Sequence, residues 1–149
     1  METTLIILKP DAVQRGLMGE LLSRFENKGL SIVGMKFIKV PAEVAEKHYS
    51  DHADKPFFPA LIDFITASPV LVLAINGPSA ISVCRNLIGP TDGTQAPPGT
   101  IRGDFGLSKQ LNLVHGSDSP EAAEKELGIW FTAGEIVEWE KCSQSWVSG

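Results

Sequence analysis

The stretch LIILKPDAVQRGLMGELLSRFENKG, residues 5–29, sets the beginning of the fold. Its apolar run Leu5–Leu8 stops at Lys9-Pro10-Asp11, which predicts a buried strand that ends in a turn. Apolar residues then recur at helical spacing, at Leu17, Leu21, Leu22 and Phe25. Gly29 stands where the C-terminus of a helix favours glycine. The stretch therefore predicts one strand followed by one helix.

A second strand and a helical insertion follow. Val33, Met35 and Phe37 alternate with other residues, as in a strand with one buried face. Residues 42–67 predict two helices, separated at residues 55–59 because proline blocks the continuation of a helix. The next strand is Val70–Ile75, whose continuous apolar run is typical of the centre of a sheet.

The second half of the chain repeats the alternation of helix and strand. Gly77-Pro78-Ser79 opens a helix, and a loop rich in glycine and proline follows at residues 89–99. Loops this long are usually functional or mobile, and a simple surface loop is the alternative. Leu111–Val114 predicts a fourth strand, and Ser119-Pro120 begins a helix that we expect to end at Gly128.

This order of elements predicts an α/β (α+β) fold. It corresponds to a ferredoxin-like βαββαβ sandwich, in which helices cover a four-stranded antiparallel sheet and a helical insertion is added. The length of 149 residues favours a single domain, residues 1–149.

Composition excludes several classes of protein. With 43% hydrophobic and 21% charged residues, the chain is not of the disordered type. The early apolar run is too short for a signal peptide or a membrane span, so we expect a cytoplasmic protein with no membrane partner. Cys84 and Cys142 cannot form a multi-disulfide framework. The net charge of −5 argues against a broad surface for nucleic acid but not against a local cationic pocket.

Motifs for several common chemistries are missing from the sequence. There is no GxxxxGK[ST] motif, no GxGxxG after a strand and no GxSxG motif. His48 and His52 lie four residues apart on a predicted helix, but no third ligand accompanies them, which argues against a metal site. Cys84 lies on an apolar helical face and is typical of a packing residue.

His115 is the strongest candidate for chemistry. It stands at the end of the predicted fourth strand, and alone it would most often be a structural hydrogen-bonding residue. Glu126 on the following helix could hold one ring nitrogen, while Lys9 and Arg102 could bring positive charge to the same end of the sheet. Imidazole suits phosphoryl transfer because its ordinary pKa of about 6.5 leaves it mostly neutral at pH 7. The cations would offset the charge of the phosphate oxygens.

At these residues the chain resembles the nucleoside diphosphate kinases, and the likeness extends from Thr4 to Trp146. Four segments carry it: residues 5–29, EKHYSDHADKPFF (46–58), GTIRGDFG (99–106) and NLVHGSDSPEAAEKELGIWF (112–131). The last segment resembles the active-site signature of that family, Asn-x-x-His-Gly-Ser-Asp.

The resemblance implies a catalytic group centred on His115. That residue would be the nucleophile that takes a phosphoryl group on a ring nitrogen. Glu126 would orient the other nitrogen, with Ser117 alongside. Lys9 and Tyr49 match the pair near the transferred phosphate, and Lys9 would also reach the sugar 3′-hydroxyl.

The resemblance also implies a nucleotide-binding group. Arg85, Thr91 and Arg102 match the residues that clamp the phosphates, Asn112 matches a ribose-binding amide, and Phe57 matches the ring on which the base stacks. Each of these residues, taken alone, is equally consistent with a structural role. Stacking is open to every base, so broad base and sugar specificity is expected.

The implied reaction is a reversible exchange between nucleoside triphosphates and nucleoside diphosphates. The γ-phosphoryl group passes through a phosphohistidine in a ping-pong mechanism. Mg²⁺ is expected to ride on the nucleotide phosphates, so no dedicated protein ligand for a metal is expected.

The resemblance implies a homo-oligomer, and the length favours a hexamer over a tetramer. Two departures concern assembly: Thr91-Asp92-Gly93 lacks a proline that relatives often carry, and the tail after Trp146 lacks a final tyrosine. Two other functions remain open, a catalytically idle nucleotide-binding or scaffold protein and a regulator that binds nucleic acid. The presence of every catalytic residue disfavours the first, and the acidic balance disfavours the second.

Overall fold

The computed structural model describes residues 1–149 as a four-stranded sheet surrounded by helices. The strands are β1 (Glu2–Leu8), β2 (Ser31–Ile38), β3 (Val70–Gly77) and β4 (Val114–Gly116). The α-helices are α1 (Pro10–Gln14), α2 (Met18–Lys28), α3 (Ala42–His48), α4 (Phe58–Thr66), α5 (Ala80–Ile88), α6 (Ile101–Phe105) and α7 (Pro120–Trp130). Short 3-10 helices lie at Ser50–His52, Ala133–Glu135 and Gln144–Trp146. None of the helices is long and apolar enough to span a membrane.

The sheet confirms the predicted ferredoxin-like arrangement. Its strand order is β2-β3-β1-β4, and every neighbouring pair is antiparallel. β1 and β3 lie at the centre of the sheet, which confirms the central position predicted for β3 from its continuous apolar run and the burial predicted for β1. In the register of the β1–β4 pair, Ile7 lies opposite His115, which anchors the candidate nucleophile against the central strand.

Two hydrophobic clusters pack against the sheet, one on each face. The first joins residues of α1, α2, α5 and α6, among them Phe25 and Ile88, to alternate residues of β1 and β3. The second joins Ala45 of α3, Ile65 of α4 and Trp130 of α7 to the other face. The helices of the insertion, α3 and α4, therefore help to cover the face of the sheet that α2 and α5 leave open.

The prediction for β2 was wrong in one respect. Val33, Met35 and Phe37 do not share a buried face: Val33 is 9% exposed, whereas Met35 and Phe37 are 57% and 56% exposed. A β-bulge between Ile32 and Gly34 shifts the register at Val33. Val33 thus joins the cluster beside α3, and the next two apolar residues lie uncovered on an edge strand.

The last strand and the last helix also differ from prediction. The fourth strand is Val114–Gly116 rather than Leu111–Val114, because Leu113 has a φ of 74° and interrupts the extended backbone. His115 therefore lies within the strand rather than after it. Helix α7 continues through Gly128 to Trp130, because burial of Trp130 outweighs a glycine penalty of about 1 kcal/mol.

Two short helices were not predicted, but the end of α2 was. Helix α1 replaces the expected turn, with Pro10 at its first position. Helix α6 follows the long loop, and the Thr100 hydroxyl caps it by accepting a hydrogen bond from the Gly103 N–H at 2.9 Å. Gly29, with a φ of 107°, ends α2 in the left-handed conformation that glycine tolerates.

Candidate active site

His115 projects from β4 toward Glu126 of α7. Its side chain is 25% exposed, and its Nε2 atom lies 2.7 Å from the Oε1 atom of Glu126. An ionised carboxylate only accepts hydrogen bonds, so Nε2 carries the proton and Nδ1 keeps its lone pair. Nδ1 makes no hydrogen bond within the chain, which leaves this nitrogen available as a nucleophile.

Glu126 is held in place and kept ionised by its neighbours. The Ser117 hydroxyl donates to the same Oε1 atom at 2.9 Å, and the Leu5 N–H of β1 donates to the Ser117 oxygen at 3.3 Å. Burial alone would raise the pKa of Glu126, but the hydrogen bonds and charge of His115, together with the Ser117 hydroxyl, hold that pKa below its usual range. The carboxylate therefore remains available to stabilise positive charge on the imidazole ring.

Lys9 lies where β1 ends, beside Asn112. The Lys9 Nζ atom donates to the Asn112 side-chain oxygen at 2.8 Å. Burial and the nearby charge of Arg102 lower the pKa of Lys9 to about 8, an effect that Asp11 partly opposes. A buried ammonium that is close to losing its proton favours the arrival of an anion.

Arg102 is almost fully buried behind β4. Its guanidinium donates to the carbonyls of Asn112 at 3.1 Å, Gly89 at 3.1 Å and Val114 at 2.6 Å. Burial, followed by the charge of Arg85, lowers its pKa to about 10. Arg102 therefore holds the long loop and β4 together in this structure. To contact a phosphate, its guanidinium would have to give up one of these hydrogen bonds to a carbonyl.

Arg85 and Thr91 lie at the margin of the site. Arg85 is exposed on α5 and donates to the Gly116 carbonyl at 3.2 Å, which brings its charge to the strand of His115. Thr91 is exposed in the long loop, and its carbonyl accepts from the Asn112 Nδ2 atom at 3.4 Å. The long loop is thus tied to the site through Asn112.

A cleft of about 530 Å³ opens beside Lys9 and Asn112. One wall is formed by Phe57, which is 49% exposed and presents its ring to the cleft. The other lining residues are Ala60, Leu61, Phe64, Lys109, Gln110 and Leu111. An apolar wall facing polar and cationic groups suits a flat ring attached to a sugar and phosphates.

Tyr49 ends α3, and its ring lies beside that of His48. Burial and the charge of Glu126 raise the pKa of Tyr49 to about 12, so its hydroxyl stays protonated and can donate. The structure therefore brings Tyr49 to the same side of the sheet as the His115–Glu126 pair.

His48 is a neighbour of His115, although the sequence suggested only a possible pairing with His52. The two rings meet edge to face with their centroids 4.7 Å apart, and Trp130 donates its indole N–H to His48 Nδ1 at 3.0 Å. Burial, followed by the charge of His115, lowers the pKa of His48 to about 3, so it is neutral. His52, which the sequence paired with His48, contacts Phe57 instead. His48, His115 and Glu126 are spaced closely enough to suggest metal ligands. Hydrogen bonds already engage Glu126, Nε2 of His115 and Nδ1 of His48, so Nδ1 of His115 is the nitrogen with a lone pair left unengaged.

Comparisons with known proteins agree with this geometry. A family model described as nucleoside diphosphate kinase matches residues 2–136. The nucleoside diphosphate kinase of Archaeoglobus fulgidus is 52% identical over 147 residues, which cover 99% of this chain and 97% of that protein.

Solved structures are also similar to this chain. A halophilic nucleoside diphosphate kinase from Halobacterium salinarum, in complex with CDP, has a TM-score of 0.96 and 45% identity over 99% of both chains. A transition-state mimic of the Borrelia burgdorferi enzyme, with bound vanadate and ADP, has a TM-score of 0.91 and 37% identity over 96% of this chain and 94% of that one.

Proposed function

The chain belongs to the nucleoside diphosphate kinase family and transfers a phosphoryl group from a nucleoside triphosphate to a nucleoside diphosphate; on this premise we propose that His115 carries the group in transit. The observation that supports this most directly is the contact between His115 Nε2 and Glu126, which leaves Nδ1 as the free nitrogen. Residues 1–149 act as one catalytic domain in this proposal.

The first half-reaction forms one bond and breaks one. His115 Nδ1 attacks the γ-phosphorus, the bond to the oxygen that bridges the β- and γ-phosphates breaks, and the diphosphate leaves with that electron pair. The ring gains positive charge as the N–P bond forms, and the adjacent Glu126 carboxylate stabilises that charge. A second diphosphate then attacks the phosphohistidine in reverse, so one site serves both half-reactions.

Cations stabilise the phosphates while they react. Lys9 lines the cleft, and a bound phosphate would raise its pKa from about 8 and keep it charged. Arg85 reaches the strand of His115. The exposed Thr91 hydroxyl completes the clamp together with Arg102, once a nucleotide displaces one of the carbonyl contacts of Arg102. The protonated Tyr49 hydroxyl donates to the transferred group.

The cleft recognises the parts that all nucleotides share. Phe57 stacks on the base through its exposed ring, while Asn112 and Lys9 bind the ribose hydroxyls. Every base has a π-face, and neither contact reads a base edge. This arrangement supports broad base and sugar specificity.

Enzymes of this family act on nucleotides together with a divalent cation, and here that cation is proposed to be Mg²⁺ on the phosphates. None of the nine residues that line the cleft is a carboxylate, and Glu126 is already hydrogen-bonded to His115 and Ser117. Mg²⁺ prefers oxygen ligands and keeps several of its waters, so phosphate oxygens fit it better than these side chains. When bound, it would offset phosphate charge.

A homohexamer is the proposed assembly. Met35 and Phe37 are exposed on the edge strand β2, next to a groove that includes Val137 and Trp139. Exposed apolar side chains on an edge strand are typical of an interface between chains. Light scattering in solution would give six times the chain mass for a hexamer and four times for a tetramer.

The proposed location is the cytoplasm. Both cysteines, Cys84 and Cys142, are free thiols, which suits a reducing compartment.

Steady-state kinetics test the proposed mechanism. With ATP and a second nucleoside diphosphate varied together, a ping-pong enzyme gives parallel double-reciprocal lines. Replacing His115 by Ala is expected to abolish turnover while nucleotide still binds with its dissociation constant within about threefold. Converging lines in the wild type, or turnover by the variant, would contradict the mechanism. Binding without any turnover in the wild type would favour the idle nucleotide-binding protein.

A further inference from the structure

The chain makes a strained turn immediately before the strand of His115. Leu113 has a φ of 74°, which is rare for a residue other than glycine. The Val114 N–H donates to the Asn112 carbonyl at 2.8 Å, so three residues close a γ-turn around Leu113. Such strain persists only where the surroundings hold it, and Leu113 is completely buried. The turn sets the directions in which Asn112 and His115 leave it.

Neighbouring elements form hydrogen bonds with three backbone groups of the turn. The Leu113 carbonyl accepts from the Lys9 N–H at 2.8 Å, and the Asn112 carbonyl accepts from Arg102 at 3.1 Å. The Leu113 N–H has a different kind of partner, since it donates to the Oδ2 atom of the Asp11 side chain at 3.0 Å. Asp11 is thus the side-chain acceptor that keeps this N–H satisfied in a buried place.

The other oxygen of Asp11 makes no hydrogen bond. Oδ1 is buried without a partner, although the charge of Asp11 acts on both Lys9 and Arg102. Its negative charge raises the pKa of both cations against the lowering effect of their burial. The groups that act on Lys9 are Asp11 on α1 and Arg102 on α6, with the neutral His48 on α3 nearby. Asp11 is the anion among them.

We propose that Asp11 is a positioning residue for phosphoryl transfer. One carboxylate oxygen holds the γ-turn that orients Asn112 and His115, and the carboxylate charge supports the two cations of the phosphate site. Asp11 acts through Lys9 and the turn rather than by touching the nucleotide. This inference rests on the proposed function, because it assigns Lys9 to the phosphates.

Two substitutions separate the two parts of this role. Asp11→Asn removes the charge but keeps an oxygen that can accept from the Leu113 N–H. Asp11→Ala removes both. Asp63→Asn is the matched control, because Asp63 is exposed on α4 and its side chain makes no hydrogen bond.

The measurement is the second-order rate constant for phosphoenzyme formation from dilute γ-labelled ATP and Mg²⁺, followed from pH 6 to 10. We expect Asp11→Asn to move the midpoint of the alkaline limb down by about one pH unit, because loss of an opposite charge favours the neutral lysine. In Lys9→Arg the side chain stays charged from pH 6 to 10, so the decrease in rate at high pH should disappear from the measured range. That result would assign the alkaline limb to the titration of Lys9. Asp11→Ala should lose a further tenfold in rate at pH 6, where Lys9 is mostly charged in all variants.

Each outcome decides the inference. The inference is supported if the midpoint of the alkaline limb moves down in Asp11→Asn and stays in place in Asp63→Asn. This result stands whether or not the Asp11→Ala variant folds. An Asp11→Asn profile that superimposes on the wild type, or an equal shift in Asp63→Asn, overturns it. A wild type that forms no phosphoenzyme would instead refute the proposed function, so the two failures are distinguishable.

Discussion

Replacing Glu126 by Gln removes one charge from the pair that we place at the centre of catalysis. The Gln side chain can still accept from His115 Nε2, which lies 2.7 Å from the carboxylate in the wild type. Two unit charges about 4 Å apart interact by about 4 kcal/mol at an effective dielectric constant of about 20. If about half a charge develops on the imidazole ring in the transition state, the loss is about 2 kcal/mol, or about 30-fold in rate.

Rapid-quench measurement of phosphoenzyme formation from saturating γ-labelled ATP reports this step directly. The rate constant should fall about 30-fold, within a range of roughly 10- to 100-fold, while the dissociation constant for ATP stays within about threefold. Glu124→Gln is the control, because Glu124 lies exposed on the same helix and makes no hydrogen bond. A Glu126→Gln rate within twofold of the wild type would refute the assigned role of the carboxylate.

Three further predictions follow from burial. The pKa of Lys9 is about 8 when folded and near 10.5 when unfolded, so the unfolded chain binds more protons between these values. Stability should therefore rise with pH across this window more steeply in the wild type than in Lys9→Met, as urea titrations at several pH values would detect. A thiol reagent at pH 8 should modify the exposed Cys142 quickly. It should modify Cys84 only on unfolding, because burial raises the pKa of that thiol to about 12. Fast modification of both thiols would contradict this prediction. Gly103→Ala should lower the free energy of unfolding by about 1–3 kcal/mol, because a Cβ atom there would overlap the Pro97 carbonyl; an unchanged urea midpoint would count against that packing.

The parts of the fold that could be predicted are those that local pattern determines. Strands β1 and β3 are buried on both faces, so their apolar runs are continuous and unambiguous. Helix α2 has both a regular apolar spacing and a glycine at its end. These signals lie within single segments and need no knowledge of the rest of the chain.

The parts that could not be predicted depend on distant contacts. The bulge in β2 is one extra residue in a strand whose alternation looks regular, so the exposure of Met35 and Phe37 was missed. The φ of 74° at Leu113 is imposed by Asp11 and Lys9, about 100 positions earlier in the chain, and it shortens β4. Helix α6 has five residues, too few for a periodic pattern.

The candidate site divides in the same way. The contact between His115 and Glu126 could be predicted from spacing, because only the end of a strand, a turn and part of a helix separate the two residues. In the structure, His115 Nε2 lies 2.7 Å from Glu126 Oε1. The contact between Lys9 and Asn112 joins residues that are 103 positions apart, so spacing alone could not predict it. The contact of His48 with His115 was missed, because the role of His48 depends on Trp130 and His115. Its position next to Tyr49 was nevertheless a usable signal.

Chemical identification of the phosphorylated group tests the central claim most directly. The protein is incubated with γ-labelled ATP and Mg²⁺ without an acceptor, and the bound label is then exposed to acid and to alkali. The account predicts label that is lost in acid, retained in alkali, discharged by added nucleoside diphosphate and absent from His115→Ala. A folded wild type that binds nucleotide but takes up no label, or a His115→Ala variant that still takes it up, would contradict it.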